Sequence, residues 1–204
     1  MSSIIVYGDS GKIGERKVIA RDTVPQPTNF YGDSKLQAEI GIKELDSEDF
    51  KVVILRAPMV FGKGCRGNYP KLVKFARMFP IFPDMDNERS MIYIDHLCEF
   101  VRLIIDNEER GVFFPQNKEY VRTSDLVKCI AEIQGARLKL VKVFNPFLHN
   151  LSRRFDILNK VFGSLVYEKS LGEYKNEYRK CNIRESLLLT ESRSNEMPKG
   201  DNIC

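Results

Sequence analysis

The sequence predicts an α/β fold built on a parallel sheet, and three stretches predict it. Apolar Ile4, Ile5 and Val6 read as a strand, TNFYGDSKLQAEIGIKELDSEDF (28–50) reads as a helix, and KVVILRAP (Lys51 to Pro58) reads as a second, buried strand after a short acidic turn. Strand, long loop, helix, strand is the crossover unit of a parallel sheet, and in such sheets active residues collect at the carboxyl ends of the strands. At 204 residues the chain is about one domain of ordinary size, and its 43% of hydrophobic residues can fill a core.

Composition excludes several classes of function. Lys and Arg number 32 against 28 Asp and Glu, a net charge of +4 that is spread along the chain. A nucleic-acid binder would gather those cations into a stripe, so nucleic acid is not an expected partner. The five cysteines, Cys65, Cys98, Cys129, Cys181 and Cys204, are odd in number and scattered, with no Cys-x-x-Cys. Neither a disulfide framework nor a zinc site follows, no metal is expected, and a reduced cytoplasmic compartment fits. No apolar run approaches the roughly 18 residues that span a bilayer, and the N-terminus has no secretory pattern. Cys204 is the last residue, which excludes a prenylation box.

The first strand runs into Gly8, Gly11 and Gly14, the outline of a phosphate-binding turn. Such a turn must open into a helix, because the helix N-terminus stabilises the phosphate charge. The residues after Gly14 are ERKVIARDTVPQPTNF, with Pro25, Pro27 and no helical rhythm. They read as a loop, and the glycines as part of a long polar excursion. The helix comes after the prolines, capped by Thr28 or Asn29, with Phe30, Ser34, Ala38 and Ile42 on one face and Leu45 close to it. Tyr31 and Lys35 lie one turn apart on the same side. An ammonium beside a phenol favours the phenolate and brings a pKa of about 10 toward the range of a general base. The same pair is also ordinary on a solvated helix face. Ser3 lies on the first strand, and the crossover lets Ser3 and Tyr31 converge.

SSIIVYG (Ser2 to Gly8), PTNFYGDSKLQAE (Pro27 to Glu39), LRAPMVFGKG (Leu55 to Gly64) and RSMIYIDHLCEFV (Arg89 to Val101) follow one another in a family-like order and spacing. Together they resemble the extended short-chain dehydrogenase/reductases, in particular the NAD-dependent sugar-nucleotide epimerase/dehydratase family. The resemblance covers residues 1 to about 135. It implies the C-terminal portion of a Rossmann-type doubly wound parallel sheet with a smaller α/β substrate-binding lobe. Residues 1–64 would be the remnant of the NAD-binding domain and 65–180 mainly the substrate lobe. Residues 111–117 would return to the main sheet, and 181–204 would form a polar tail.

By the same resemblance, Ser3 hydrogen-bonds the reacting sugar oxygen, Tyr31 is the acid/base, and Lys35 binds the nicotinamide ribose and tunes Tyr31. Pro58 lines the cofactor, and Asn68 and Arg89 meet a nucleotide-diphosphate sugar. An arginine fork suits phosphate oxygens, although Arg89 could equally form a surface ion pair with Asp86 or Glu88. Family dehydratases carry an Asp-Glu pair where this chain has Ile4 and Ile5, and aliphatic groups transfer no protons. The implied activity is NAD-dependent epimerisation through a keto-sugar intermediate, in the supply of cell-surface polysaccharide. The alternatives are a non-catalytic binding remnant and an NAD(P)-dependent keto-sugar reductase. The family's glycine fingerprint belongs to a strand that would precede Met1. The expectation is therefore an open parallel sheet edge, covered by a second copy or another chain, and weak or no cofactor binding in isolation.

The rest reads as the substrate side. CRGNYPKLVKFARMFPIFPD predicts a helix with Leu72, Phe75, Ala76 and Phe79 apolar, then an extended piece. MIYI (Met91 to Ile94) predicts a strand and Asp95 the cap of a helix whose core residues are Leu97, Phe100, Val101 and Ile104, with His96 a partly exposed bystander. GVFFPQN (Gly111 to Asn117) predicts a strand, and TSDLVKCIAEIQG (Thr123 to Gly135) a capped helix closed by Gly135. NPFLHNLSRRFDILNKVFGSLVYEKS has helical periodicity and would pack on the substrate lobe, with contact to a membrane surface the lesser reading. ESRSNEMPKGDNIC predicts a frayed end.

Overall fold

Among the described residues every pairing between strands is parallel, with one isolated antiparallel bridge between Arg89 and Val121. The computed structural model describes residues 1–192. A central sheet holds Ser2–Ser3 (β1), Val53–Ala57 (β3) and Gly111–Phe113 (β7) in the order β1-β3-β7, with β2 (Arg16–Ile19) lying elsewhere. The register sets Ser3 opposite Ala57 and Leu55 opposite Phe113. Helix α1 (Phe30–Lys43) is the crossover from β1 to β3. Three two-stranded pairs carry the rest: β2 with Ser164–Tyr167 (β9), Met59–Phe61 (β4) with Met91–Tyr93 (β6), and Ile81–Pro83 (β5) with Lys139–Val141 (β8). Helices α2 (Tyr69–Met78), α3 (Ile94–Asp106), α4 (Thr123–Ile133), α5 (Asn145–Leu151), α6 (Asp156–Phe162) and α7 (Ile183–Ser192) complete it. The largest core cluster includes Phe61, Met91, Val127, Ile130 and Leu187, between the β4–β6 pair, α4 and α7. A second joins Val6, Tyr7, Ile19, Phe114 and Tyr167, and a third packs Leu97, Phe100 and Ile104 of α3 against Leu55, Ile92 and Tyr178.

The crossover, the strand over 53–57, the helices at 69–78 and 123–133 and the strand at 91–93 stand where the periodicity puts them, and Gly135 ends α4 at φ 73°. Other elements differ, each for a local reason. The strand expected through Ile4–Val6 stops at Ser3, and Ile4–Tyr7 form a 3-10 turn instead. Ser3 Oγ accepts from the Ile5 amide at 3.4 Å and the Gly8 amide closes the turn on Ile5 O at 2.9 Å, so the backbone curls before a ladder can extend. Residues 16–19, read as loop, are a strand whose partner β9 lies far along the chain. The same strand interrupts the helical reading of 145–170, which becomes α5, α6 and β9.

Helix α1 turns a different face inward from the one its apolar residues suggest. Gly32 and Glu39 are buried and Leu36 packs on the second cluster, whereas Phe30 is 88% exposed and Ile42 and Leu45 also face out. The cap of α3 is Tyr93 rather than Asp95. Arg122 precedes α4 without a side-chain cap, and Asn87 Oδ1 accepts from the Thr123 amide at 3.1 Å from another segment. Residues 183–192, assigned to a polar tail, form α7 with Ser186, Leu187 and Thr190 buried. The remainder of that tail, 193–204, lies outside the described residues.

What fixes α1 to the sheet is an ion pair. Arg56 on β3 donates through Nη2 to Glu39 on α1 at 2.6 Å and through Nε at 3.0 and 3.1 Å, with side chains 8% and 3% exposed. Arg56 Nη1 also donates to Tyr7 Oη at 2.5 Å, and Tyr167 Oη donates to Arg56 O at 2.8 Å. Burial alone would raise the Glu39 carboxyl, but the Arg56 hydrogen bonds outweigh it and hold Glu39 below its ordinary 4.5. A carboxyl depressed in the folded state stabilises the fold above its unfolded value and loses that contribution as acid protonates it. Glu39→Gln is expected to cost about 3–5 kcal/mol at pH 7, since it leaves Arg56 buried and unpaired. In urea titrations the gap between the two proteins should close as pH falls below 4.5; a gap independent of pH would contradict the ion-pair account.

Candidate active site

Ser3 ends β1 and Ala57 ends β3, so Ser3 and Pro58 sit at the same carboxyl edge of neighbouring strands. The first turn of α1 is pressed against this edge. Asn29 Oδ1 caps it by accepting from the Gly32 amide at 2.9 Å. A methyl group on Gly32 would stand 2.7 Å from Ile5 O and 3.1 Å from Pro27 Cβ, so only glycine permits this approach. Tyr31, adjacent to Gly32, is thereby brought beside the turn that begins at Ser3. Its side chain stays 56% exposed, and Lys35 Nζ lies 5.7 Å from its ring centroid. The phenol is available to a ligand rather than packed in the interior.

Asn68 and Arg89 meet in a different place from that edge. Together with Met59, Lys71, Ile157 and Lys160 they line a cavity of about 220 Å³ between α2 and α6. Met59 follows Pro58 directly, so the chain leads from the strand edge into the cavity wall. Arg89 forms no ion pair with Asp86 or Glu88, because Arg122 takes Asp86 and Arg16 takes Glu88. Its backbone bridges Val121 and Leu165, its Nη2 donates to Lys160 O, and its Nε is shielded from solvent without a hydrogen-bond partner among the described residues. Burial pushes its pKa down to about 10, which leaves it cationic at neutral pH. The half-buried guanidinium lies beside Lys71 and Lys160, the latter 3.7 Å from Asp9 Oδ1, so this wall of the cavity is cationic.

The glycine run has a structural use. Gly11, Gly14 and their neighbours lead into β2, and the loop is fastened to α6: Ser10 Oγ donates to Asn159 O at 2.6 Å and the Ile13 amide to Asn159 Oδ1 at 3.1 Å. Gly163 lets the two segments meet, since a Cβ there would fall 2.1 Å from Gly11 O. The sequence pattern also fails to mark His96, which is buried rather than partly exposed. Its ring lies between Asn117 and Cys181, which are distant in sequence, so no local signal reveals it. Among the described residues no group of His, Cys, Asp and Glu could hold a metal, and no helix is long and apolar enough to cross a membrane.

A parallel sheet with crossover helix, a serine and a Tyr-x-x-x-Lys pair at its carboxyl edge, and an adjoining cationic cavity define a Rossmann-type α/β protein. The sequence model of the NAD dependent epimerase/dehydratase family matches residues 1–114, and the chain belongs to that family. The UDP-glucose 4-epimerase of Vibrio cholerae is 28% identical over 137 residues, which cover 64% of this chain and 41% of that protein. Among solved structures, a dTDP-4-dehydrorhamnose reductase from Clostridium acetobutylicum superposes with a TM-score of 0.69 at 16% identity, over 95% of this chain and 64% of that one. The UDP-glucuronic acid 4-epimerase of Bacillus cereus in complex with NAD gives 0.67 at 18% identity, over 96% and 60%. The Thermus thermophilus UDP-glucose 4-epimerase complex with NAD gives 0.67 at 18%, over 96% and 62%. The chain thus spans about two fifths of the curated relative and about three fifths of these solved structures.

Gly32→Ala is expected to destabilise the protein by about 1–3 kcal/mol, because the methyl must push α1 away from Ile5. Gly41→Ala, on the same helix with open space around it, should be neutral or stabilising. Thermal melts of the two variants check this contrast, and equal effects would contradict the close-packing account.

Proposed function

We propose that the chain binds a nucleotide-diphosphate sugar and NAD and carries the proton-transfer half of an epimerisation at a sugar carbon. The observation that supports this most is the half-satisfied Arg89 in a cavity that Asn68, Lys71 and Lys160 share, whose wall includes Met59, the residue after Pro58 at the end of β3. The cavity would take the diphosphate, with Arg89 Nε donating to an oxygen that no described residue supplies. The sugar would extend toward Ser3. Ser3 Oγ already accepts from the Ile5 amide, so its hydroxyl hydrogen is free to donate to a sugar oxygen.

Tyr31 Oη would take the proton from the reacting hydroxyl and later return it, and Lys35 would hold the nicotinamide ribose while keeping positive charge next to the phenol. The exposed Tyr31 and half-buried Lys35 side chains fit the nicotinamide end of NAD. When bound there, NAD would accept a hydride from the sugar carbon and give it back. Ile4 and Ile5 offer no proton donor or acceptor beside Ser3, which favours epimerisation over loss of water. The domain division at residue 64, cover of the β1 edge by a second copy or another chain, and a place in polysaccharide supply in the cytoplasm complete this reading.

Two variants test it on the 204-residue chain. Arg89→Gln is expected to weaken binding of UDP, followed by calorimetry, about tenfold or more, while Tyr31→Phe binds UDP as the parent does. With UDP-glucose and NAD supplied, the NAD in large excess to offset the weak cofactor binding expected of this chain, the parent should form the epimer and Tyr31→Phe should not, a loss of about a hundredfold or more. Unchanged UDP affinity in Arg89→Gln would overturn the cavity assignment, and turnover by Tyr31→Phe the acid/base role. A parent protein that binds UDP but neither binds NAD nor turns over would be a non-catalytic member of the family.

A further inference from the structure

A second cluster of reactive groups lies apart from Ser3, Tyr31 and Arg89. His96, near the start of α3, is 2% exposed. Its Nδ1 is 3.0 Å from Asn117 Oδ1, and its Nε2 is 3.3 Å from both the amide nitrogen and the Sγ of Cys181. These contacts fix the chemistry of the ring. Asn117 Oδ1 also accepts from the Tyr93 amide at 3.3 Å, so the oxygen faces the imidazole and Nδ1 carries the hydrogen. Nε2 is the basic nitrogen, its single lone pair facing both the Cys181 amide and Sγ at 3.3 Å, so that taking the Sγ proton releases the amide hydrogen bond.

The segment that carries Cys181 is held in place. Tyr178 Oη accepts from the Gln116 amide at 3.1 Å and shares its one hydrogen between Gly172 O at 2.8 Å and Gln116 O at 2.9 Å, and Arg179, its side chain 5% exposed, is bound by Glu173 and Glu177. His96, Asn117 and Cys181 line a cavity of about 270 Å³. An independent feature of that wall points to a ligand. Asn117 is 5% exposed, yet its Nδ2 has no hydrogen-bond partner among the described residues, and a buried donor left unmatched in a lined cavity is a place where a bound acceptor gains.

We propose that Cys181, with His96 as its base and Asn117 as the residue that positions the imidazole, is a nucleophilic thiol site for a small zwitterionic disulfide. His96 Nε2 takes the Sγ proton as Sγ attacks one sulfur of the disulfide. A new S–S bond forms to Cys181, the old one breaks, and the departing sulfur leaves as a thiolate that recovers the proton from the imidazolium. One protein thiol and one disulfide become one mixed disulfide and one free thiol, with no further oxidant. Thiol–disulfide exchange needs a nucleophile and a base but no oxyanion hole, which is what this cluster offers.

The charged groups facing the site alternate in sign. Asp95 and Glu99 come from α3, Lys118 and Glu119 from the segment after β7, Glu177, Arg179 and Lys180 from the segment before α7, and Glu185 from α7. A molecule with both charges matches this rim. Burial, together with Glu185, Asp95 and Glu119, holds the thiol above its ordinary 9.0, and burial pushes His96 below 6.5. The resting pair is thus neutral thiol and neutral imidazole, and the proton moves as the sulfur attacks.

Oxidised glutathione is the probe, read by intact mass and peptide mapping at neutral pH. One glutathionyl group is expected on Cys181 before Cys98, the exposed thiol among the described residues, and Cys181→Ser should remove that adduct. His96→Gln should slow it about tenfold or more without changing the rate at Cys98. Modification of Cys98 or Cys204 ahead of Cys181, or an unchanged rate in His96→Gln, overturns the proposal. Should His96→Gln fail to fold, the unmutated protein decides. A Cys181 rate nearly flat from about pH 8 to about pH 6.5 supports the imidazole base, and a rate falling about tenfold per pH unit, as attack by a free thiolate requires, overturns it.

Discussion

The buried Arg56–Glu39 pair is the constraint on which the rest of the structure depends. Neither charge can be left in the interior alone, so β3 and α1 must meet in one register. The pair reaches further through Tyr7 and Tyr167, which tie the turn after β1 and the late strand β9 to the same guanidinium and its backbone. Once α1 is seated, Gly32 must pass against Ile5, which brings the first turn of α1, with Tyr31 on it, against the turn that follows Ser3. Geometry at the candidate catalytic edge is thus set by a contact two helical turns away from Tyr31.

The cationic cavity has a different origin. It forms where the β4–β6 pair, α2 and α6 come together, and the glycine loop after the 3-10 turn helps hold α6 through Asn159. That loop therefore connects the two halves of the candidate site mechanically. Arg89 sits at the junction, its main chain in bridges to Val121 and Leu165, and only its side chain remains partly unsatisfied. Membership of the NAD dependent epimerase/dehydratase family gives this arrangement a chemical context.

Particular residues show why some features are legible in the sequence and others are not. The crossover is readable because each part carries its own pattern, an apolar run at 51–58 and a capped helix at 30–43. The helices at 69–78, 94–106 and 123–133 are readable from their 3.6-residue apolar rhythm. Strand β2 is not, because Arg16–Ile19 is half polar and becomes a strand only by pairing with 164–167. The inward face of α1 is hidden because its buried polar residue, Glu39, is matched by Arg56, a partner no helical periodicity can reveal. His96 is hidden for the same reason, since Asn117 and Cys181 stand beside it only after folding.

By itself the sequence determined the fold class, the crossover unit, the family motifs and the residue types available for proton transfer and for anion binding, because all of these rest on local periodicity and short-range spacing. The tertiary structure alone decided which face of α1 is buried, that Asn68 and Arg89 share a cavity, that Arg89 is left half-satisfied, and that His96 lies against Cys181. Those are long-range pairings of charge, hydrogen-bond donor and acceptor, and the chain encodes them only through the contacts that folding completes.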